Sequence, residues 1–183
     1  MTSSTGGHSE RRTEELVRNL RMLLLDVDGV LTDGGVILIG SEGEAKRFDV
    51  QDGMGINLAK AAGFTVGIVT SRTSDVVLRR SKELGLHEVC QGAGHKADVL
   101  DPLLEKYGIE TSQVAYIGDD IQDISIMKRV GVPIAVQNAV RTVKECSLYV
   151  TQARGGHGAV REAVEWMLEI RGNKEEVYKQ VVG

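Results

Sequence analysis

Short apolar runs alternate with amphipathic stretches along most of this chain. The first run, Met22–Leu25, contains no polar residue, which is typical of a strand buried on both faces. Further strands are predicted at residues 65–69, 88–90, 114–117, 133–135 and 148–150, and helices at residues 74–84, 96–107, 121–130, 140–145 and 158–170. Strands that alternate with helices across short loops predict an α/β fold built on a doubly wound parallel sheet.

One segment departs from this alternation. Between the first two strands, short extended runs at residues 35–39 and 45–50 flank the polar turn 40–43, a pattern that predicts a β-hairpin. A helix is predicted over residues 52–62, with a glycine stop at Gly63. The hairpin is therefore expected to form a flap beside the sheet.

The two ends of the chain differ in composition from the middle. Residues 1–12 are rich in Ser, Thr and Gly and are predicted to be disordered, with a short leading helix over residues 13–20. The charged tail, residues 173–183, is predicted to be either helical or frayed. A single domain is expected at residues 13–172, and 183 residues with 42% hydrophobic content suffice for a sizeable core.

Charge and cysteine content restrict the possible partners and compartments. A formal charge of -4 at pH 7 argues against nucleic acid or an anionic membrane as the partner. Cys90 and Cys146 lie far apart without metal-ligand spacing, which favours reduced thiols. No apolar run approaches the length of a membrane span, and the N-terminus lacks a signal-peptide apolar region. We expect a soluble cytoplasmic protein.

The first predicted strand ends in two carboxylates, Asp26 and Asp28. Residues two apart on an extended segment share a face, so these anions repel unless a cation neutralises them or one keeps its proton. Hard oxygen ligands favour Mg²⁺. One aspartate can then act as the ionised nucleophile, and the other as the general acid and base. A strand-ending turn is the simpler interpretation of an isolated Asp-x-Asp-Gly, but three further segments overturn it.

Polar residues also follow other predicted strands, at the edge where an open parallel sheet binds ligands. Thr70 can donate its hydroxyl to a phosphoryl oxygen, or it can cap the following helix. Lys96 lies at a predicted helix start, where it opposes the helix dipole unless an anion lies close by; the alternative is an exposed lysine. Asp119, Asp120 and Asp123 can hold a metal ion or cap a helix start.

The segment DVDGVLTDG, residues 26–34, resembles the first motif of the haloacid dehalogenase superfamily in its phosphatase form. Thr70, Lys96 and Asp119 stand where the superfamily's second, third and fourth motifs have a Ser or Thr, a lysine and a metal-binding aspartate. From about residue 16 to residue 172 the chain resembles the 3-deoxy-D-manno-octulosonate 8-phosphate phosphatases, members of the superfamily without a cap domain.

This resemblance implies an Mg²⁺-dependent phosphatase of lipopolysaccharide biosynthesis. Asp26 attacks phosphorus and forms an aspartyl-phosphate, while Asp28 protonates the leaving alkoxide and then activates water. Lys96 offsets the negative charge. The implied Mg²⁺ ligands are the Asp26 carboxylate, the Asp28 main-chain carbonyl and Asp119. The groups expected to orient these ligands are Asp120 and Asp123.

A sugar acid phosphate needs a second anion site, and arginine pairs well with a carboxylate. In having Arg at position 72 the sequence resembles the octulosonate phosphatases. The related 2-keto-3-deoxynonulosonate 9-phosphate phosphatases tend to have Glu there. Asn57 stands where the family often has Arg, and His95 where Asn or Asp usually precedes the lysine. These departures bear on the sugar and not on the phosphatase chemistry. The implied substrate-binding residues are Asp28, Asp49, Val50, Gln51, Asp52, Gly53, Asn57, Arg72, Arg80 and Lys96.

The spacing between the motifs leaves no room for a cap domain, so the site is expected to be open to water, whereas phosphoryl transfer favours an enclosed pocket. In the family that this sequence resembles, the hairpin, here residues 36–48, packs in a homotetramer whose neighbouring chains close the site. Its apolar residues could instead pack on their own domain. Residues 155–162, GGHGAVRE, resemble the family's C-terminal loop that approaches a neighbour's site.

Two other functions fit the same residues. The chain could be a 2-keto-3-deoxynonulosonate or N-acylneuraminate 9-phosphate phosphatase, or a catalytically silent regulatory module that keeps the fold. Every polar group required for catalysis is present, which favours an enzyme. Side-by-side kcat/KM values separate the two phosphatases.

Overall fold

The structure, a computed structural model, describes residues 6–41 and 43–183. Its strands are β1 (Met22–Leu25), β2 (Ile37–Ile39), β3 (Gly43–Ala45), β4 (Thr65–Val69), β5 (Glu88–Cys90), β6 (Val114–Gly118), β7 (Val132–Ala135) and β8 (Tyr149–Val150). Its helices are α1 (Gly6–Arg18), α2 (Val50–Ala61), α3 (Asp75–Glu83), α4 (Leu100–Tyr107), α5 (Ile124–Met127), α6 (Arg141–Glu145), α7 (Ala159–Arg171) and α8 (Lys174–Val182).

Six strands form one sheet in the order β5-β4-β1-β6-β7-β8, and every pair is parallel. All four residues of β1 are apolar and completely buried, as a central strand covered on both faces requires. The chain adds β4 and β5 on one side of β1 and then β6, β7 and β8 on the other. The predicted doubly wound parallel sheet is confirmed, with its switch point at the carboxyl end of β1.

The connections around the sheet are short. Between β1 and β4 the chain contains the hairpin β2-β3 and α2, and between β4 and the residue Lys96 it contains only α3 and β5. Neither connection holds a cap domain, as the motif spacing predicted. Cys90 and Cys146 are free thiols. No helix in the described ranges is both long and apolar enough to cross a bilayer.

The first helix is longer than predicted. It begins at Gly6 and not at residue 13, so residues 6–12 are helical where disorder was predicted. Residues 1–5 of the same predicted segment lie outside the described residues. Val17 of α1 is completely buried, and α1 packs against α7. A helix of this kind depends on tertiary packing, which composition alone does not reveal.

The hairpin is shorter than predicted, its second strand lies at Gly43–Ala45 and not at residues 45–50, and the helix after it begins earlier. In the hairpin, β2 and β3 pair antiparallel with Ile37 opposite Ala45. The helix α2 begins at Val50 because the Asp49 carboxylate caps it, accepting a hydrogen bond from Gln51 N at 2.7 Å. Val50 therefore belongs to the helix and not to the second strand of the hairpin.

Asp52 joins α2 to the start of α7. Its carboxylate is only 1% exposed and accepts hydrogen bonds from the backbone amides of Gly158 (3.2 Å), Val160 (2.9 Å) and Arg161 (3.2 Å). Burial raises the pKa of Asp52 to about 6, although these bonds lower it. The Asp52 side chain is thus enclosed by the protein, where it stabilises a helix N-terminus, and the implied contact of Asp52 with substrate stays a prediction.

The C-terminal tail is helical and packed. α8 lies against α2 and α7, and Val177 is 2% exposed. The Tyr178 hydroxyl donates to Glu165 Oε1 at 2.6 Å and accepts from Arg161 Nη2 at 3.0 Å. Of the two predicted states for residues 173–183, the structure shows the helix.

The close approach of α2 to α7 predicts that Gly55 does not tolerate a side chain. A Cβ there lies 2.7 Å from Arg161 Cα and 3.0 Å from Arg161 N, which are backbone atoms. We expect Gly55→Ala to lower the free energy of unfolding by about 1–2 kcal/mol, because overpacking outweighs a gain of about 1 kcal/mol in helix propensity. Urea unfolding followed by Trp166 fluorescence measures the change. Gly94→Ala, whose Cβ meets nothing within 4 Å, is the control; a Gly55→Ala protein as stable as wild type would contradict the tight contact.

Candidate functional site

Three parallel strands end side by side, and a polar residue directly follows each of them. Asp26 follows β1, Thr70 follows β4 and Asp119 follows β6. The parallel register brings these strand ends to the same edge of the sheet. They open onto a cavity of about 310 Å³ lined by Asp26, Asp28, Gly34, Val36, Thr70, Ser71, Arg72, Lys96, Asp119, Asp120, Gln122 and Asp123.

A cluster of three carboxylates forms the floor of this cavity. Asp26, Asp119 and Asp123 each present an oxygen, and these oxygens all lie within 4.8 Å of one another. Lys96 Nζ lies 2.7 Å from Asp26 Oδ1 and 2.7 Å from Asp123 Oδ1, and its side chain is 3% exposed. The alternative of an exposed lysine therefore does not apply. One lysine among three carboxylates leaves negative charge that protons or a cation must offset.

Burial and mutual repulsion change the pKa values of this cluster. Burial, followed by the charge of Asp123, raises the pKa of Asp26 to about 6, although Lys96 lowers it. Burial, followed by Asp26 and Asp123, raises the pKa of Asp119 to about 8. Burial alone lowers the pKa of Lys96, but the two carboxylates beside it raise that pKa overall. The cluster holds protons near neutral pH unless a cation replaces them.

Asp123 is the most deeply placed of the three carboxylates and is completely buried. The donors to its oxygens are Lys96 Nζ (2.7 Å), Tyr116 Oη (2.7 Å), Asp119 N (2.8 Å) and Asp120 N (3.2 Å). These bonds fix the backbone that carries Asp119, a geometry that suits the predicted orienting role. Asp120 instead accepts from Ile121 N at 2.7 Å and caps the short 3₁₀ helix Ile121–Asp123.

Asp119 has a carboxylate oxygen that is available to bind a metal ion. Its Oδ1 is buried and, within the described part of the chain, makes no hydrogen bond. Gly29 allows the carboxylate to come close, because a Cβ at that position lies 2.0 Å from Asp119 Oδ2, and the glycine has a φ of +92°. An unpartnered buried oxygen in an all-carboxylate cluster fits Mg²⁺, a hard cation that prefers oxygen ligands.

Thr70 lines the cavity and does not cap the next helix. Its side chain is buried, and Thr70 Oγ1 accepts a long hydrogen bond of 3.4 Å from Arg72 N. The N-cap of α3 is Ser74, whose hydroxyl accepts from Val77 N at 3.2 Å. The helix-cap interpretation of this segment thus belongs to Ser74, and the Thr70 hydroxyl faces the site.

Two hairpin residues that the sequence reasoning missed hold Asp28 and Arg72. Lys46 follows β3 and forms an ion pair with Asp28, although its side chain is 2% exposed. Glu44 on β3 accepts from Arg72 Nη2 at 3.3 Å, and Arg72 Nε lies 3.8 Å from Asp28 Oδ2. The hairpin was interpreted as an apolar contact surface, and the run of charges in it was the signal that could have identified these residues.

Several residues with an implied substrate contact do not line the cavity of a single chain. Asp49 caps α2 and Asp52 is enclosed. Arg80 lies over Gly53, where a Cβ comes within 2.7 Å of Arg80 Nη2, and it pairs with Glu83 at 3.4 Å. The residues outside the cavity are Asp49, Val50, Gln51, Asp52, Gly53, Asn57 and Arg80. Their contacts with substrate stay predictions.

Comparison with known proteins assigns this arrangement to a family. Residues 80–162 match the family model for haloacid dehalogenase-like hydrolases. The chain is 41% identical over 165 residues to the 3-deoxy-D-manno-octulosonate 8-phosphate phosphatase KdsC of Escherichia coli strain K12, covering 90% of this chain and 87% of that protein. This chain belongs to the KdsC family. The family that the sequence resembled is therefore confirmed.

Solved structures of similar proteins share the whole architecture of this KdsC-family chain. A haloacid dehalogenase superfamily (subfamily III A) hydrolase from Legionella pneumophila has a TM-score of 0.92 and 34% identity, covering 98% of this chain and 99% of that one. The 3-deoxy-D-manno-octulosonate 8-phosphate phosphatase from Moraxella catarrhalis has a TM-score of 0.89 and 37% identity, covering 93% and 98%. That structure is a complex with a magnesium ion, a phosphate ion and a KDO molecule.

The raised pKa values predict that metal binding to the carboxylate cluster releases protons. In the metal-free protein, Asp26 and Asp119 bind protons below about pH 6 and about pH 8 respectively, and a cation must displace them. The apparent affinity for Mg²⁺ is thus expected to rise between pH 6 and pH 8, by up to about tenfold per pH unit for each proton displaced. Calorimetric titration in buffers of different ionisation enthalpy measures the released protons. Affinity that stays constant over this range, without proton release, would contradict the shifts.

Proposed function

We propose that this chain is an Mg²⁺-dependent phosphatase that hydrolyses 3-deoxy-D-manno-octulosonate 8-phosphate to the free sugar acid and inorganic phosphate. The observation that carries the proposal is the cluster of Asp26, Asp119 and Asp123 around Lys96, at one strand edge of a KdsC-family fold. Such a cluster presents a nucleophile, a cation site and a compensating lysine to one phosphoryl group. The corresponding pathway is lipopolysaccharide biosynthesis in the cytoplasm.

The chemistry follows from where each side chain lies. The Asp26 carboxylate attacks phosphorus, and as that bond forms the bond from phosphorus to the sugar oxygen breaks. Asp28 gives its proton to the leaving sugar oxygen. In the second step Asp28 takes a proton from water, whose oxygen attacks the phosphorus and releases phosphate from Asp26.

Charge is balanced by groups that are already in position. Lys96 touches Asp26 and offsets negative charge as the phosphoryl group transfers, and the Thr70 hydroxyl can donate to a phosphoryl oxygen. The Asp26 and Asp119 carboxylates and the Asp28 main-chain carbonyl would hold Mg²⁺, which when bound would supply further positive charge at the phosphoryl oxygens. Because these groups are buried and fixed, little reorganisation is needed during the reaction.

Activity on the named substrate is the direct test. We expect wild-type protein with Mg²⁺ to release phosphate from 3-deoxy-D-manno-octulosonate 8-phosphate, and Asp26→Asn to lower kcat by at least about 10³-fold because the nucleophile is lost. Asp101→Asn, an exposed carboxylate paired with Arg129, is the control and keeps wild-type kcat. The readout is inorganic phosphate under steady-state conditions.

Two results of the same assay would change the assignment. A kcat/KM at least about tenfold higher for 2-keto-3-deoxynonulosonate 9-phosphate would assign the enzyme to the nine-carbon substrate. Wild-type protein that hydrolyses no phosphate ester would indicate a silent regulatory module. Arg72 at the cavity mouth supports the eight-carbon sugar acid, because the resemblance associates Arg at this position with octulosonate phosphatases.

The proposal includes a homotetramer in which neighbouring chains cover the site. The hairpin exposes four consecutive apolar side chains, a patch typical of a protein interface. Their exposed fractions are 55% for Val36, 52% for Ile37, 75% for Leu38 and 58% for Ile39. The same exposure argues against packing of the hairpin on its own domain. Val50 is also 80% exposed, so the implied substrate contacts near the start of α2 are proposed to form across subunits.

Sedimentation tests the assembly. We expect wild-type protein to sediment as a tetramer, and Leu38→Glu to shift the species to a smaller mass because a charge in the apolar patch loses its hydration on assembly. Val182→Glu, at an apolar residue that is 86% exposed on α8, is the matched control. Wild-type protein that sediments only as a monomer at assay concentrations would remove the tetramer from the proposal.

A further inference from the structure

The environment of Arg72 differs from that of an open anion site. Its guanidinium lies at the cavity mouth, yet it already has two carboxylate neighbours within the chain. Glu44 Oε2 is 3.3 Å from Nη2, and Asp28 Oδ2 is 3.8 Å from Nε. Arg72 is therefore engaged by carboxylates on two sides before any ligand arrives.

The charges around Arg72 cancel. Lys46 pairs with Asp28 and lies 4.0 Å from Glu44, so two cations and two carboxylates form one compact group. This four-residue group consists of Asp28, Glu44, Lys46 and Arg72, and its formal charge is zero while both carboxylates are ionised. A carboxylate that binds at Arg72 adds an anion to a neutral group, so it gains little net attraction unless one of the resident carboxylates gives way.

Of the two resident carboxylates, Glu44 is the one that can be exchanged. Asp28 follows the central strand β1, and the nearly buried Lys46 side chain holds it in place. The side chains of the two carboxylates are similarly exposed, but Glu44 lies on the two-stranded hairpin, outside the main sheet. Besides its contacts with Arg72 and Lys46, Glu44 accepts a hydrogen bond at Oε1 from the Ser74 hydroxyl. Glu44 thus presents to Arg72 the same chemical group as a sugar acid.

We propose that Glu44 determines the affinity for carboxylate-bearing substrates, because it occupies Arg72 in the free enzyme and the substrate carboxylate replaces it there. This inference rests on the proposed function in one respect, the sugar acid nature of the substrate. Each phosphorylated acid must break the Glu44–Arg72 contact on binding, whereas a phosphate ester without a carboxylate leaves the contact intact. Glu44 therefore lowers the affinity for acids selectively.

Binding measurements on a turnover-blocked protein test this role. In an Asp26→Asn background with Mg²⁺, calorimetry gives the Kd of octulosonate 8-phosphate, of 6-phosphogluconate, and of glucose 6-phosphate, which lacks the carboxylate. Adding Glu44→Gln is expected to lower the Kd of both acids about threefold to tenfold, the range of one partly exposed ion pair, and to leave glucose 6-phosphate within about twofold. Glutamine keeps the size and can still accept from Ser74.

Two controls separate competition from a structural effect. In an Arg72→Ala background, Glu44→Gln is expected to have no further effect on the acids, because the contact that it relieves is already absent. Glu145→Gln removes an equal charge from an exposed pair with Arg141 and is expected to change no Kd. An unchanged or higher Kd for the acids in Glu44→Gln overturns the proposal, since Glu44 then orients Arg72. An equal gain for all three ligands also overturns it.

Failure of the proposed function gives a different result. If wild-type protein does not turn over octulosonate 8-phosphate, the sugar assignment fails, but the comparison of 6-phosphogluconate with glucose 6-phosphate still measures the role of Glu44. If wild-type protein turns over octulosonate 8-phosphate and Glu44→Gln does not favour the acids, only the inference about Glu44 fails.

Discussion

Repulsion among buried carboxylates at one strand edge is the constraint on which this structure depends. Asp26, Asp119 and Asp123 present oxygens within 4.8 Å of one another, and the single lysine, Lys96, pairs with only two of them, Asp26 and Asp123. The surrounding residues are arranged around this imbalance. Tyr116 and two backbone amides stabilise Asp123, whereas Asp119 keeps a buried oxygen without a hydrogen bond. A divalent cation offsets this negative charge, so the repulsion within the cluster and its chemistry have one origin.

The sheet makes this concentration of charge possible. Parallel strands end at one edge, and the order around β1 places the ends of β4 and β6 on either side of it. Glycines then permit contacts that side chains would block. Gly29 admits Asp119, and a Cβ on Gly155 lies 1.7 Å from Gly29 O, so the glycine-rich segment before α7 packs directly on the loop after β1. The backbone of the site is supported from outside by elements distant in sequence.

The hairpin takes part in two kinds of interaction. Its β2 side exposes an apolar patch, while its β3 side extends charged residues toward Asp28 and Arg72. The proposed assembly surface and the charges beside the active site therefore lie on one small element. In a fold without a cap domain, a two-stranded flap could supply both cover and charge, because β2 is entirely apolar whereas β3 and the residue after it carry Glu44 and Lys46.

Local patterns in the sequence determined the elements and most of the site. An apolar run without interruption predicts β1, and carboxylates that follow it predict a cation, because neither conclusion needs knowledge of distant contacts. The tertiary structure alone decided the rest. The helix α1 packs on α7, Asp52 is enclosed because the amides that begin α7 meet it, and Lys46 and Glu44 reach the site because the hairpin folds back over it. Each of these features depends on contacts between residues far apart in the chain, and a local sequence pattern does not predict such contacts.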